Sequence, residues 1–273
     1  MTPRHRPWEE AAEFTIGLKP IPVEAWLEGG EADPAARKDP LYAGRRGLVW
    51  AEAEGSRPGQ AEAAALVDAA LGPAPAVDLP PLFAAARRVP DDLCLMEKSG
   101  GQWRLTALSL SAGSFFTAEA VIGRSLAELH GPVTGFAERL LVRVQRIFEG
   151  LRPELVLERR NWTVLNSTEL HTPTSAPIRA RIGEIDPADA GSALSLRVER
   201  QTLRRLPQTA GALFTIRVWL APLESLADDP ARLAAFAHAW RTAHPDLRAY
   251  KRFDHYDDLV EQFLTRAGAS PAR

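Results

Sequence analysis

Residues 194–220 read LSLRVERQTLRRLPQTAGALFTIRVWL, and this stretch carries the clearest strand pattern in the chain. Apolar and polar residues alternate from residue 194, and Phe214, Ile216, Val218 and Leu220 share one parity further on. The segment between the two runs, 207–211, contains proline and glycine and is typical of a turn. A two-residue period places alternate side chains on opposite faces of a sheet. The stretch therefore predicts a long antiparallel hairpin with one face toward a core.

Two arginines lie on the predicted buried face of this hairpin. Arg200 and Arg204 share their parity with Leu196 and Val198. A guanidinium on a buried face requires an anionic partner, because burial of an uncompensated charge is expensive. That partner could be an acidic side chain of the fold, or a propionate, phosphate or oxygen-derived ligand held by the donor fork of arginine. Glu199 has the opposite parity and is more typical of a solvated face.

A second stretch, residues 118–135, predicts one amphipathic helix that ends at His130. Ile122, Leu126 and His130 are four residues apart and therefore lie on one stripe. Gly131 and Pro132 follow, and this pair is typical of a helix end. A histidine there lies at the negative end of the helix dipole, which suits a metal ligand or a protonated ring. The other interpretation is a capping or core histidine, since one histidine is no metal signature.

The remaining patterns mix strands with helices. Strands are predicted at 45–51, 93–96, 103–110, 155–157 and 161–165, with a hairpin turn at 98–101. Helices are predicted at 60–71, 134–151, 231–244 and 257–266, and a surface loop at 28–40. Strands and helices are segregated, which favours an α+β fold with an antiparallel sheet over a parallel βαβ fold. We expect one domain over 1–273, with a wrapping arm and loop at 1–40 and a C-terminal helical extension at 231–273.

Composition limits the possible functions. Hydrophobic residues make up 45% of the 273 residues and charged residues 25%, as in an ordinary globular protein. The formal net charge of -2 gives no strong attraction to nucleic acid or membrane, and no apolar run is long enough to span a bilayer. Residues 1–10 lack the apolar core of a signal peptide, so we expect a cytoplasmic protein. The single Cys94 excludes an internal disulfide and cysteine-rich metal sites, and the common nucleotide, hydrolase and zinc-protease motifs are absent.

Asn161 and Trp162 are further candidates for a binding pocket. They follow the basic pair Arg159-Arg160. A flat indole suits the wall of a pocket for a planar ligand. A strand start with a half-buried indole explains the same pattern.

Four segments together resemble one protein family. They are 89–96 (VPDDLCLM), 122–135 (IGRSLAELHGPVTG), 158–162 (ERRNW) and 197–207 (RVERQTLRRLP), the last continued by 214–217 (FTIR). In this order they are similar to the α-subunit-like family of haem-dependent oxidative N-demethylases. The resemblance implies a PAS-like α+β fold that binds haem b through an axial histidine. It also implies oxygen-dependent removal of an N-methyl group from a small secondary amine such as dimethylamine, with electrons from NADPH through a separate flavin or iron–sulfur reductase.

The resemblance assigns roles to the basic candidates. His130 becomes the expected axial ligand of the iron, because its place at a helix end suits one ring nitrogen for iron and the other for a backbone carbonyl. Arg200 or Arg204 would hydrogen-bond bound oxygen. The other arginine, or Lys251, would hold a haem propionate.

The same resemblance assigns the remaining candidates. A cationic amine requires an aromatic or carboxylate neighbour, for which we expect Trp162 and Glu199, and Asn161 would line the cofactor pocket. Neither nucleic acid nor a membrane is an expected partner. Two alternatives stay open, a haem-based gas or redox sensor or carrier without turnover, and an interaction module that keeps the fold without haem.

Overall fold

The computed structural model describes residues 5–10, 16–131 and 140–269, and the centre of this part is a seven-stranded antiparallel sheet. The strands are β1 (Lys19–Ile21), β2 (Trp50–Glu52), β3 (Asp92–Ser99), β4 (Gln102–Ser109), β5 (Val156–Leu165), β6 (Ser195–Arg205) and β7 (Ala212–Pro222). Their order across the sheet is β1-β5-β6-β7-β3-β4-β2, and every neighbouring pair is antiparallel. Helices flank the sheet, which confirms the predicted α+β class.

Short and medium helices connect these strands. They are α1 (Pro34–Gly44), α2 (Arg46–Val49), α3 (Arg57–Leu71), α4 (Pro81–Ala86), α5 (Ala118–Val121), α6 (Leu126–Leu129), α7 (Leu141–Gly150), α8 (Ala176–Ala180), α9 (Ala190–Ala193), α10 (Pro230–Thr242), α11 (Pro245–Lys251) and α12 (Asp257–Arg266). No helix in the described part of the chain is long and apolar enough to cross a membrane.

The long hairpin predicted from the alternation is confirmed as β6 and β7. Its register runs from Ser195 opposite Pro222 to Arg205 opposite Ala212. The Leu206 amide closes the turn by donating to the carbonyl of Gly211 at 2.9 Å. Because β5 pairs with β6 and β3 pairs with β7, the hairpin occupies the middle of the sheet.

The sheet has two faces with different contents, which we name after two neighbouring residues of β6. The Arg200 face carries the even-numbered side chains of β6 and two buried apolar clusters, one with Trp162, Leu196 and Val198 and one with Val156 and Leu213. The Glu199 face carries the odd-numbered side chains of β6. Its apolar part includes Leu203, Cys94 and Leu126, packed with residues of α7. Helix α6 and the residue that follows it therefore lie on the Glu199 face.

The prediction of a single helix from Ala118 to His130 is wrong, because this part of the chain forms two helical turns, α5 and α6. Ile122 has a ψ of 140°, and Gly123 has a φ of 76°, which an L side chain rarely adopts. The carbonyl of Arg124 then accepts from the Leu105 amide at 3.0 Å, so the chain pairs with β4. Ser125 and Glu128 form a capping box that starts α6. The predicted end at His130 is confirmed, because His130 caps α6; residues 132–135 lie outside the described residues.

Other boundaries also differ from the prediction. Residues 46–49 form a helical turn, and only the next three residues form β2. Helix α1 occupies much of the predicted loop, since the side chain of Asp33 accepts from the Ala36 amide and Pro34 suits a first turn. The two predicted strands at 155–165 are one strand, β5. The first part of the helix predicted at 134–151 lies outside the described residues, and the rest is α7.

Candidate functional site

Polar side chains of β5 and β6 form a patch on the Glu199 face. Asn161 lies opposite Glu199, and one step along the strands Arg159 lies opposite Gln201. Arg197 lies two residues before Glu199 on the same face. The strands thus place one carboxylate and two guanidinium groups side by side.

Glu199 is held by three donors. The Arg197 Nε donates to Glu199 Oε1 at 3.0 Å, the Gln201 Nε2 donates to Oε2 at 2.8 Å, and the Asn161 Nδ2 donates to Oε2 at 3.4 Å. Burial raises the pKa of Glu199, but the charge of Arg197 and the three hydrogen bonds together hold it below its ordinary value. Glu199 is therefore a fixed carboxylate anion. The expectation that it points to solvent is wrong, since only 17% of its side chain is exposed.

Arg197 anchors this carboxylate to two loops. Its side chain is 2% exposed, and it donates to the carbonyl of Ala112 at 2.5 Å and to that of Leu170 at 3.3 Å. Ala112 belongs to the connection that follows β4, and Leu170 to the connection that follows β5. Arg197 is not among the site residues predicted from the sequence, although it shares the parity of Glu199 along β6.

His130 caps α6 beside this patch. Its Nδ1 lies 2.8 Å from the carbonyl oxygen of Leu126. Because a carbonyl only accepts, Nδ1 carries the proton, and in the neutral ring the lone pair is on Nε2. Burial lowers the pKa of His130; the Leu126 bond opposes this, and the charge of Arg159 lowers the pKa further. A neutral, oriented imidazole of this kind has the properties of a metal ligand.

Arg159 interacts electrostatically with both His130 and Glu199. Its charge acts on the pKa of both His130 and Lys251, and the carboxylate of Glu199 acts on the pKa of Arg159 in turn. Its Nε is shielded from solvent, and no acceptor in the described part of the chain receives a hydrogen bond from it. Burial lowers the pKa of the guanidinium. Arg159 is likewise not among the site residues predicted from the sequence.

Lys251 is the last residue of α11, and its side chain contacts the backbone of β5. Its Nζ donates to the carbonyl of Trp162 at 2.5 Å and lies 5.1 Å from the Trp162 ring centroid. Burial is the main reason that its pKa falls to about 7, and the positive charge of Arg159 contributes. The predicted candidates Lys251, Asn161, Glu199 and His130 are thus brought to one region.

Arg200 does not join them. Consecutive strand residues point to opposite faces, so Arg200 lies behind the sheet from Glu199. It is 2% exposed, forms an ion pair with Glu158, and donates to the carbonyls of Trp26 at 2.7 Å and Ala25 at 2.6 Å. The expectation that Arg200 faces His130 across a ring is therefore wrong, and its anionic partner is an acidic side chain of the fold.

Arg204 and Trp162 also lie on the Arg200 face. The guanidinium carbon of Arg204 lies 4.5 Å from the centroid of the Trp26 ring, so this arginine packs against the N-terminal segment. Trp162 packs among the buried aromatic rings of Trp8, Phe236, Trp240 and Phe253. Both expectations are wrong for the same reason as for Arg200, because the even-numbered residues of β5 and β6 lie on the Arg200 face. Trp162 contacts Lys251 through its carbonyl and its ring.

Neither the cysteine nor the acidic and histidine side chains of the described residues form a further metal site. Burial raises the pKa of the Cys94 thiol, as expected for a small buried apolar residue. No cluster of three or more histidine, cysteine, aspartate or glutamate side chains in residues 5–10, 16–131 and 140–269 could hold a metal ion. One histidine is nevertheless the donor set that a haem requires, because the porphyrin supplies four nitrogens itself.

A comparison with known families agrees with this chemistry. A family model described as "Haem-dependent oxidative N-demethylase, alpha subunit-like" matches residues 64–261, which is more than half of the chain. The matched range contains His130, Arg159, Glu199 and Lys251.

Proposed function

Because the chain belongs to the haem-dependent oxidative N-demethylase, alpha subunit-like family, we propose that it binds haem on the Glu199 face and demethylates a small secondary amine such as dimethylamine. The observation that carries this proposal is the protonation and orientation of the His130 ring. Its Nδ1 donates to the Leu126 carbonyl, and the ring lies beside a patch that contains an ionised carboxylate. This pairing supports an axial ligand next to a site for a polar substrate.

The residues on this face suit a haem. His130 would hold the iron through Nε2, since the hydrogen bond to Leu126 fixes the other nitrogen as the protonated one. Lys251 would hold a propionate, because its ammonium group lies at the edge of β5 and within electrostatic range of the patch. Haem iron, when bound, supplies the activation of oxygen by which an N-methyl group leaves as formaldehyde.

Glu199 would orient the amine. Its carboxylate is ionised and immobilised by Arg197, Gln201 and Asn161, so it can accept a hydrogen bond from a substrate N–H. Since only 17% of the Glu199 side chain is exposed, that contact would be screened less by water than at an exposed carboxylate. Lys251 could exchange a proton at Nζ near neutral pH, since its pKa is about 7.

We further propose an electron-donor protein, the type of haem and the place of action. The "alpha subunit-like" description supports a separate protein that delivers electrons, which we take to be an NADPH-dependent flavin or iron–sulfur reductase. Haem b is the proposed cofactor and oxygen the co-substrate. The family match and the continuous sheet support one PAS-like domain, and we propose that it works in the cytoplasm.

The test uses the full chain purified with and without added haem. A Soret band should form, His130→Ala should abolish or shift it, and His238→Ala, an exposed histidine of α10, should leave it unchanged. The reduced protein with oxygen and dimethylamine should then release formaldehyde steadily. A spectrum that is the same in His130→Ala would refute His130 as ligand, and ligand binding without formaldehyde would indicate a sensor or carrier.

A further inference from the structure

The guanidinium of Arg159 needs a partner that the described residues do not supply. Its Nε is shielded from solvent, and no acceptor in those residues receives a hydrogen bond from it. Arginine cannot lose its charge in a protein, so an uncompensated guanidinium in this position is costly. Its neighbour Arg160, on the opposite face, forms an ion pair with Glu158 at 2.9 Å. Arg159, unlike Arg160, therefore forms no ion pair within the described residues, although Glu199 acts on its charge.

The balance of charge on the Glu199 face also favours an anion. Glu199 is already paired with Arg197 at 3.0 Å, and Arg159 adds a second guanidinium nearby. A simple dialkylammonium ion would increase this excess. A zwitterion would not, because its ammonium group can contact Glu199 while its carboxylate contacts Arg159.

We propose that Arg159 is a carboxylate-binding residue beside Glu199, and that the two together select an N-methyl amino acid as the amine substrate. Arg159 lies opposite Gln201 and Asn161 opposite Glu199, so Arg159 and Glu199 are diagonal neighbours. Diagonal pairs are roughly 7–8 Å apart at the backbone, which long side chains can span around a small ligand. The planar fork of arginine binds a carboxylate through two parallel hydrogen bonds. The substrate assignment rests on the proposed function, but the carboxylate site does not.

A haem propionate is the other source of the same carboxylate chemistry, so the experiment has two arms. The first arm titrates the haem-free full chain with N-methylglycine and with dimethylammonium by calorimetry. The second arm measures haem dissociation by loss of the Soret band. Both arms use the wild type, Arg159→Met, Arg159→Lys and the matched control Arg160→Met. Thermal unfolding of each variant accompanies them, and Arg159→Lys keeps the test valid if Arg159→Met does not fold.

The outcomes separate the two sources. Binding of N-methylglycine that weakens about 10- to 100-fold in Arg159→Met, but not in Arg160→Met, supports the substrate carboxylate. Faster haem loss in Arg159→Met with unchanged N-methylglycine binding supports the carboxylate site with propionate as its source and overturns the substrate assignment. No change in either arm overturns the proposal. If the wild type takes up no haem, the proposed function fails, while the first arm still tests Arg159.

Discussion

The pairing of Arg197 with Glu199 makes a quantitative prediction for the variant Arg197→Met. The methionine removes a guanidinium that is 2% exposed and donates to Glu199, Ala112 and Leu170. Glu199 then stays on the sheet face without its counter-ion. The two carbonyls lose their donor at the same time.

The expected loss of stability follows from this geometry. Removal of one partner of a buried ion pair costs about 3–5 kcal/mol, because the other charge remains buried. Glu199 is 17% exposed and keeps the donors Gln201 and Asn161, which favours the lower end of that range. We expect Arg197→Met to lower the free energy of unfolding by about 3 kcal/mol at pH 7.

The loss should depend on pH. In the wild type the lowered pKa of Glu199 contributes stability that is present above its unfolded pKa of about 4.3 and is lost as the pH falls through the folded pKa. Without Arg197, burial dominates and the pKa of Glu199 rises, so the variant loses stability as the pH rises through about 4.3. The difference between the two proteins should therefore be larger at pH 7 than at pH 4.

Urea unfolding followed by tryptophan fluorescence measures these differences. The double variant with Glu199→Gln should regain roughly 1–3 kcal/mol relative to Arg197→Met at pH 7, because the uncompensated charge is gone. Arg197→Lys serves as a control that keeps the charge. Equal losses at pH 7 and pH 4, or a double variant that is less stable than Arg197→Met, would refute the reasoning.

Three further predictions concern a strand residue and two residues that lie outside the sheet. Arg200→Met should lower the free energy of unfolding by about 3 kcal/mol, because Glu158 loses one of its two arginine partners and keeps only Arg160. The carbonyls of Ala25 and Trp26 also lose their donor, while the Soret band of the haem-loaded protein should stay unchanged. The pKa of Lys251 is lowered to about 7, so the stability of the wild type relative to Lys251→Met should rise between pH 7 and about 10, as pH-dependent urea unfolding can measure. Gly123→Ala should cost roughly 1–2 kcal/mol, because φ is 76° although a Cβ would meet nothing within 4 Å. The matched Gly150→Ala, in the same open surroundings within α7, should instead be neutral or stabilising in thermal unfolding.

Local chemistry in the sequence determined the central elements. Alternation along residues 194–220 predicted β6, β7 and the two sets of side chains, because a strand has a strict two-residue period. The same parity separates Glu199 from Arg200 without any tertiary information. The helix end at His130 followed from Gly131 and Pro132, whose backbone preferences act within one turn. Lys98 to Gly101 marked the turn between β3 and β4, where both glycines have positive φ.

Tertiary structure alone decided which face of β6 carries the candidate site. Both faces are covered, so alternation could not tell which set of polar residues would meet a helix and which would meet the N-terminal segment. Glu158 and the carbonyls of Ala25 and Trp26 come from distant parts of the chain to satisfy Arg200, which removed it from the site. Arg159 became a candidate only when β5 paired with β6 and placed it beside His130 and Glu199. Long-range packing decides which group pairs with a buried charge, because the free-energy cost of its burial depends on every group that the fold brings near it.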